Sequence, residues 1–90
     1  MWNHVYLISY DLLKPEKSED YKKIISYIVT FDHKKPLLSQ WLIKTQKSLK
    51  EVTDKLLTLI DQNDRLLVVD VTNAERGWWL NRDIRTRWRQ

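Results

Sequence analysis

The segment HVYLISYDLL runs apolar as far as a lone acidic residue, Asp11, and a loop carrying Lys14, Pro15 and Lys17 follows it. A carboxylate at the exposed end of a central strand, with bases beside it, suits holding a divalent metal against a phosphate. Magnesium takes oxygen ligands and keeps several waters, so one carboxylate from each of two subunits plus a substrate phosphate would suffice. The metal would then activate a water and stabilise charge on the phosphate. Asp11 also fits a plainer role. It caps the turn into Leu12–Pro15, or it pairs with Arg65, which an antiparallel pairing of the first and last central strands brings close to it. Both roles are open on the sequence. Tyr10 and Ser9 flank the carboxylate, and Tyr10 is grouped with Asp11 as a candidate catalytic residue. Asp70, on a later strand, is a second acidic candidate.

The basic residues point to phosphate as well. Lys14 and Lys17, with Lys22 and Lys23, form a patch around the end of the first strand that suits a nucleic-acid backbone. Lys22 and Lys23 also fit the solvated face of a helix. Near the other end, Arg82, Arg85 and Arg89 lie around Trp88, a combination of charge and stacking surface used for single strands. Trp78 and Trp79 are candidates for packing against a second subunit. Other chemistries are excluded. With no cysteine there is no disulfide, thiolate metal site or cysteine nucleophile. His4 and His33 stand far apart and no nucleophile elbow accompanies them, so a serine triad has no support.

The elements that must position these residues follow from periodicity. Residues 4–12 are apolar on both faces, as in a central strand. Ser18 precedes Glu19 and Asp20, and Tyr21, Ile24, Ile25 and Ile28 recur at helical spacing, which predicts a helix over 18–31. Residues 32–36 read as a polar connection, and Pro36 limits 34–38 to a short edge strand. A strand is predicted over 37–45. Ser48 and Glu51 have capping-box spacing and open a second helix, with Leu49, Val52, Leu56, Leu59 and Ile60 as its buried stripe. Residues 61–64 are a turn, 66–71 another central strand, 78–80 a short strand, and Asn81 the cap of a final helical turn or two. The order βαββαβ predicts an α+β, ferredoxin-like sandwich over residues 1–80, with both helices on one face and a basic C-terminal tail over 81–90. Two helices leave the second face of an apolar sheet uncovered, and a second copy of the chain is the simplest cover.

Ninety residues make one domain with a modest core. The net charge of +4 is concentrated after Glu75 and carried by arginine, whose planar fork suits phosphate. No apolar run approaches the roughly 20 residues that cross a bilayer, and residues 1–12 lack the marks of a signal peptide. The expectation is a cytoplasmic protein with no membrane partner.

Three segments, YLISYDLLKP (6–15), SQWLIKT (39–45) and NDRLLVVDVT (63–72), resemble a group of very small bacterial proteins. That group is related to the CRISPR-associated adaptation endonuclease, to virulence-associated protein D and to SinR-like proteins. The resemblance covers roughly residues 5–80 and rests on pattern and a few short words. It implies a ferredoxin-like homodimer with facing sheets, in which a last strand adds to the partner's sheet. The CRISPR-associated members carry an aspartate at the end of the first strand, and two such residues meet across the two-fold axis to bind magnesium. Asp11, preceded by Tyr10, falls on that position. Those members usually place arginine just after the aspartate, where this chain has Lys14 and Lys17. The word SQW fits the SinR-like branch better. The expected function is a small nucleic-acid-associated dimer, in its sharp form a magnesium-dependent endonuclease hydrolysing DNA or RNA at paired Asp11 residues. The alternative is a non-catalytic homodimeric adaptor or nucleic-acid-binding protein within a larger complex.

Overall fold

The computed structural model describes residues 3–13 and 18–73, together with the main chain of 78–79 and 82–83. The elements run β1 (His4–Asp11), α1 (Glu19–Ile28), β2 (Asp32–Leu37), β3 (Gln40–Thr45), α2 (Leu49–Leu57), β4 (Arg65–Asp70), β5 (Trp78–Trp79) and β6 (Arg82–Asp83). The first four strands form one antiparallel sheet in the order β2-β3-β1-β4. This α+β arrangement, with two helices against a four-stranded sheet, is compatible with a ferredoxin-like sandwich.

β1 sits in the middle because it is apolar on both sides of its pleat. Side chains alternate across a strand, so Tyr6, Ile8 and Tyr10 point one way and Val5, Leu7, Ser9 and Asp11 the other. The first set enters the core with Trp41 and Ile43 of β3, Ile24 and Ile28 of α1, and Val52 and Leu56 of α2. Both helices therefore cover the same face. Each large side chain buried there is worth about 1.5–3 kcal/mol.

On the other face, Leu7 of β1 lies between Leu42 of β3 and Val69 of β4, and Ser9 lies beside Leu67. Leu42 is buried, whereas Leu67 is 55% and Val69 38% exposed. This face is apolar at its middle and ringed by Asp11, Arg65, Gln40, Lys44 and Lys34.

The edges differ from the sequence expectation in two places. Residues 32–37 form a strand, β2, rather than a polar connection, and β3 begins only at Gln40. The apolar residues Leu37 and Leu38 sit at the turn, 61% and 70% exposed. Pro36 has no N–H for the ladder, and the register shifts between Lys34 and Leu37, so the strand survives only as an edge with a bulge. Residues 82–83 pair antiparallel with 78–79 as a small hairpin, where a helix after Asn81 had been expected.

The two helix starts are built differently. Ser48 accepts from the Glu51 amide at 3.1 Å while the Glu51 carboxylate accepts from the Ser48 amide at 3.3 Å, a complete capping box. Ser18 precedes α1 with the same backbone shape but makes no side-chain cap bond. Ser48→Ala should therefore cost about 1 kcal/mol in urea unfolding. Ser18→Ala should cost clearly less. Equal losses would show that the capping-box bond does not stabilise α2.

Candidate functional site

Asp11 ends β1 on the sheet face opposite the helices, exposed to solvent. The antiparallel register sets Arg65, the first residue of β4, directly opposite it. The sequence expectation that these two lie close is met. No ion pair within 4 Å joins them among the described residues, so the carboxylate and the guanidinium stand side by side rather than locked together. They border an open groove of about 330 Å³ with Ser9, Tyr10, Ser39, Leu66 and Leu67. Ser39 reaches this end through the β2–β3 turn, whose Ser39 carbonyl accepts from the Tyr10 amide at 3.3 Å.

Tyr10 borders the same groove, but its side chain belongs to the opposite face. It is buried, and its hydroxyl accepts a hydrogen bond from Trp41 Nε1 at 2.9 Å. One step along a strand reverses direction, so the structure does not bring the Tyr10 phenol to the Asp11 carboxylate. The role visible for Tyr10 is to anchor β1 to β3 in the core. Lys35 lies 5.0 Å over the Trp41 ring, closing the outer side of that anchor.

Asp70 sits at the far end of β4, opposite Tyr6 rather than near Asp11. Its carboxylate accepts from the Thr72 hydroxyl and from the Thr72 amide. Thr72 Oγ1 in turn accepts from the Val5 amide at 2.9 Å, tying the exit of β4 to the start of β1. The Thr72 hydroxyl, then the Thr72 amide, hold the Asp70 carboxyl below its ordinary value; partial burial opposes this, and His4 adds a small pull downward. On the neighbouring strand, burial raises the Tyr6 phenol, with the negative charges of Asp70 and Glu51 adding to the effect. Its hydroxyl stays protonated and donates to the Lys47 carbonyl at 2.8 Å.

A second acidic group was not foreseen. Asp20 of α1 and Asp61 and Asp64 of the α2–β4 turn bring one carboxylate oxygen each within 4.8 Å of one another. Asp64 accepts from the Leu13 amide and the Asp61 amide, both at 2.8 Å, and so fastens the end of β1 to that turn. In the sequence Asp20 reads as a helix-start residue and 61–64 as a turn. Only the packing of α1 beside that turn brings the three together, and no spacing signals it.

The donor set at Asp11 bears on magnesium. Among the described residues of one protomer it is a single exposed carboxylate, with the Ser9 hydroxyl on the same face and a guanidinium opposite. A magnesium ion needs about six oxygens in near-octahedral array, and a cation there would face Arg65. The described residues of one copy therefore do not by themselves supply the ligands of a magnesium centre. The histidines add no ligand. His4 stacks on Tyr6 at 5.7 Å, and His33 sits edge-on to Trp41 with Nδ1 2.8 Å from the Phe31 carbonyl.

Lys14, Lys17, Arg85 and Arg89 lie outside the described residues, as do the side chains of Arg82, Trp78 and Trp79. No protein-family model matches this chain, and neither a curated protein nor a solved structure is similar enough to show a relationship. Among the described residues no helix is long and apolar enough to cross a membrane.

Asp70 has a consequence for acid stability. A carboxyl held below its ordinary value stabilises the fold above that value, and the contribution is lost as pH falls through the lowered one. Urea midpoints of the wild type should fall more steeply below the ordinary carboxyl value of 3.8 than those of Asp70→Asn. Parallel curves for the two proteins would remove Asp70 from the acid response.

Proposed function

We propose that this chain works as a small nucleic-acid-associated homodimer on a ferredoxin-like sandwich. The sheet face opposite the helices is the seam, and the Asp11 end of β1 is where a phosphate backbone is handled. The observation that carries this reading is the placement of Asp11: an exposed carboxylate at the end of the central strand, bordering a groove and facing an arginine.

The seam is supported by the same face. Leu67, Val69 and Leu7 form an apolar centre with charged residues only around it, the layout of an interface core and rim. A domain this small gains much from covering it.

The catalytic form of the proposal is magnesium-dependent phosphodiester hydrolysis at paired Asp11 residues. The described residues of one protomer supply one carboxylate there, and in this form the second copy brings the other. The rival form is a non-catalytic dimer that binds nucleic acid or serves as an adaptor in a larger complex. The arginine opposite Asp11 favours that rival, because a positive charge facing the carboxylate disfavours a cation bound there. In the catalytic form the carboxylate that works on the nucleic acid comes from the exposed set of β1, which leaves Tyr10 a supporting role.

Labelled single-stranded RNA and double-stranded DNA, incubated with magnesium or with EDTA, separate the two forms. Cleavage that needs magnesium and disappears in Asp11→Ala, with the fold retained by circular dichroism, is the result expected of the catalytic form. Binding without cleavage, unaffected by that substitution, assigns the chain to the non-catalytic form.

The seam has its own test. Leu67→Lys places a charge in the centre of the face while leaving the helix-side core untouched. Light scattering should give a dimer for the wild type and a monomer of unchanged secondary structure for the variant. A wild type that is already monomeric, or a variant that stays dimeric, rejects this face as the seam.

A further inference from the structure

Among the described residues, the groove at the Asp11 end has one positively charged group on its border, Arg65. Its side chain is exposed at the start of an edge strand, and no hydrogen bond or ion pair joins it to any described residue. Five N–H donors thus stand beside a groove with nothing in the described structure to receive them. Asp11, the residue opposite, lies about 5 Å away between Cβ atoms, the spacing of a directly facing pair. At that range its charge holds the long arginine side chain near the groove mouth without taking up its fork.

We propose that Arg65 anchors an internal phosphodiester of a nucleic-acid strand in this groove. The guanidinium spans the two non-bridging oxygens, and the Ser9 hydroxyl on the same face is placed to donate to one of them. The match is geometric, because a planar fork meets two oxygens of one phosphorus at once, whereas an ammonium meets them as a point charge. Asp11 sets the charge class. A diester carries one negative charge, and a terminal phosphate or free inorganic phosphate carries close to two near neutral pH. The carboxylate opposite repels the second charge, so the groove favours an internal diester. Leu67, exposed on the same face, offers the adjoining sugar an apolar surface. The ligand class rests on the proposed function; the assignment of Arg65 as its anchor does not depend on hydrolysis.

The test is therefore run in EDTA, where hydrolysis cannot contribute. Fluorescence anisotropy of a labelled single-stranded oligonucleotide is measured across a salt series for wild type, Arg65→Gln, Arg65→Lys and Asp11→Asn. The expected result is several-fold weaker binding by Arg65→Gln, with the slope of log affinity against log salt shallower by about 0.7, the loss of one phosphate contact on a single strand. Arg65→Lys should keep the slope and recover only part of the affinity. Asp11→Asn should bind inorganic phosphate, measured by competition, better than the wild type does. Unchanged affinity and slope in a folded Arg65→Gln overturn the anchor, whether or not magnesium-dependent cleavage is found. An Arg65 effect without any cleavage leaves the anchor standing and removes only the catalytic form. A wild type that binds no oligonucleotide overturns both.

Discussion

Asp11, Arg65, Tyr10 and Asp70 take their places from the pairing of β1 with β3 on one side and β4 on the other. Six pairs of residues face each other across each of those ladders. A strand has a period of two, so a slip of one residue would exchange the two faces. Tyr6, Ile8 and Tyr10 would then leave the helices, and Asp11 would be driven into the core. The cost of burying an unpaired carboxylate and exposing two tyrosines and an isoleucine fixes the register. That register also makes Asp11 exposed, sets Arg65 opposite it and makes Tyr10 buried. The Trp41 to Tyr10 hydrogen bond locks the arrangement from the core side, and the Asp64 bonds to Leu13 and Asp61 lock it at the strand's end.

The same register produces a sheet with unequal faces and unequal edges. The helices complete one face. The other keeps leucine and valine at its centre and charge at its rim. Among the edges, β2 carries Asp32, Lys34, Lys35, Pro36 and a bulge, all of which discourage a further strand from adding there. β4 has no proline or bulge, and its charges are confined to its two ends, Arg65 and Asp70. Among the described residues, the sheet thus guards its β2 edge against a further strand, and its β4 edge carries no such device. Asp11 and Arg65 stand where the open face, the β4 edge and the groove meet.

Carboxylates have three different fates in this small domain, and environment decides which. Asp70 is spent on Thr72 and holds the exit of β4. Asp64 is spent on two amides and holds the end of β1. Asp11, by contrast, faces a guanidinium across the ladder without an ion pair to it and looks onto solvent. A residue type alone does not separate these cases. What separates them is whether main-chain donors converge on the carboxylate, and that depends on the turns around it.

The sequence by itself determined the element order, the two-sided character of β1 and β4, the capping box at Ser48 and the nearness of Asp11 to Arg65. These are local or follow from a two-residue period, and a hydrophobic pattern records them directly. The short edge strand read over 34–38 is present as β2, but the strand begins at Asp32 where a polar connection was read, because a polar run with a proline carries little strand signal of its own and β3 supplies the ladder. The sequence also reads as a helix after Asn81 where 78–79 and 82–83 pair, since so short a segment takes its form from its neighbour. Tyr10 looked like a partner of Asp11 because the two adjoin in the chain, yet adjacency in a strand means opposite faces. The meeting of Asp20 with Asp61 and Asp64, and the groove shared by Ser9, Ser39 and Arg65, were decided only by tertiary structure. Those residues come from separate elements, and only the packing of helix on sheet and the pairing of distant strands brings them within reach.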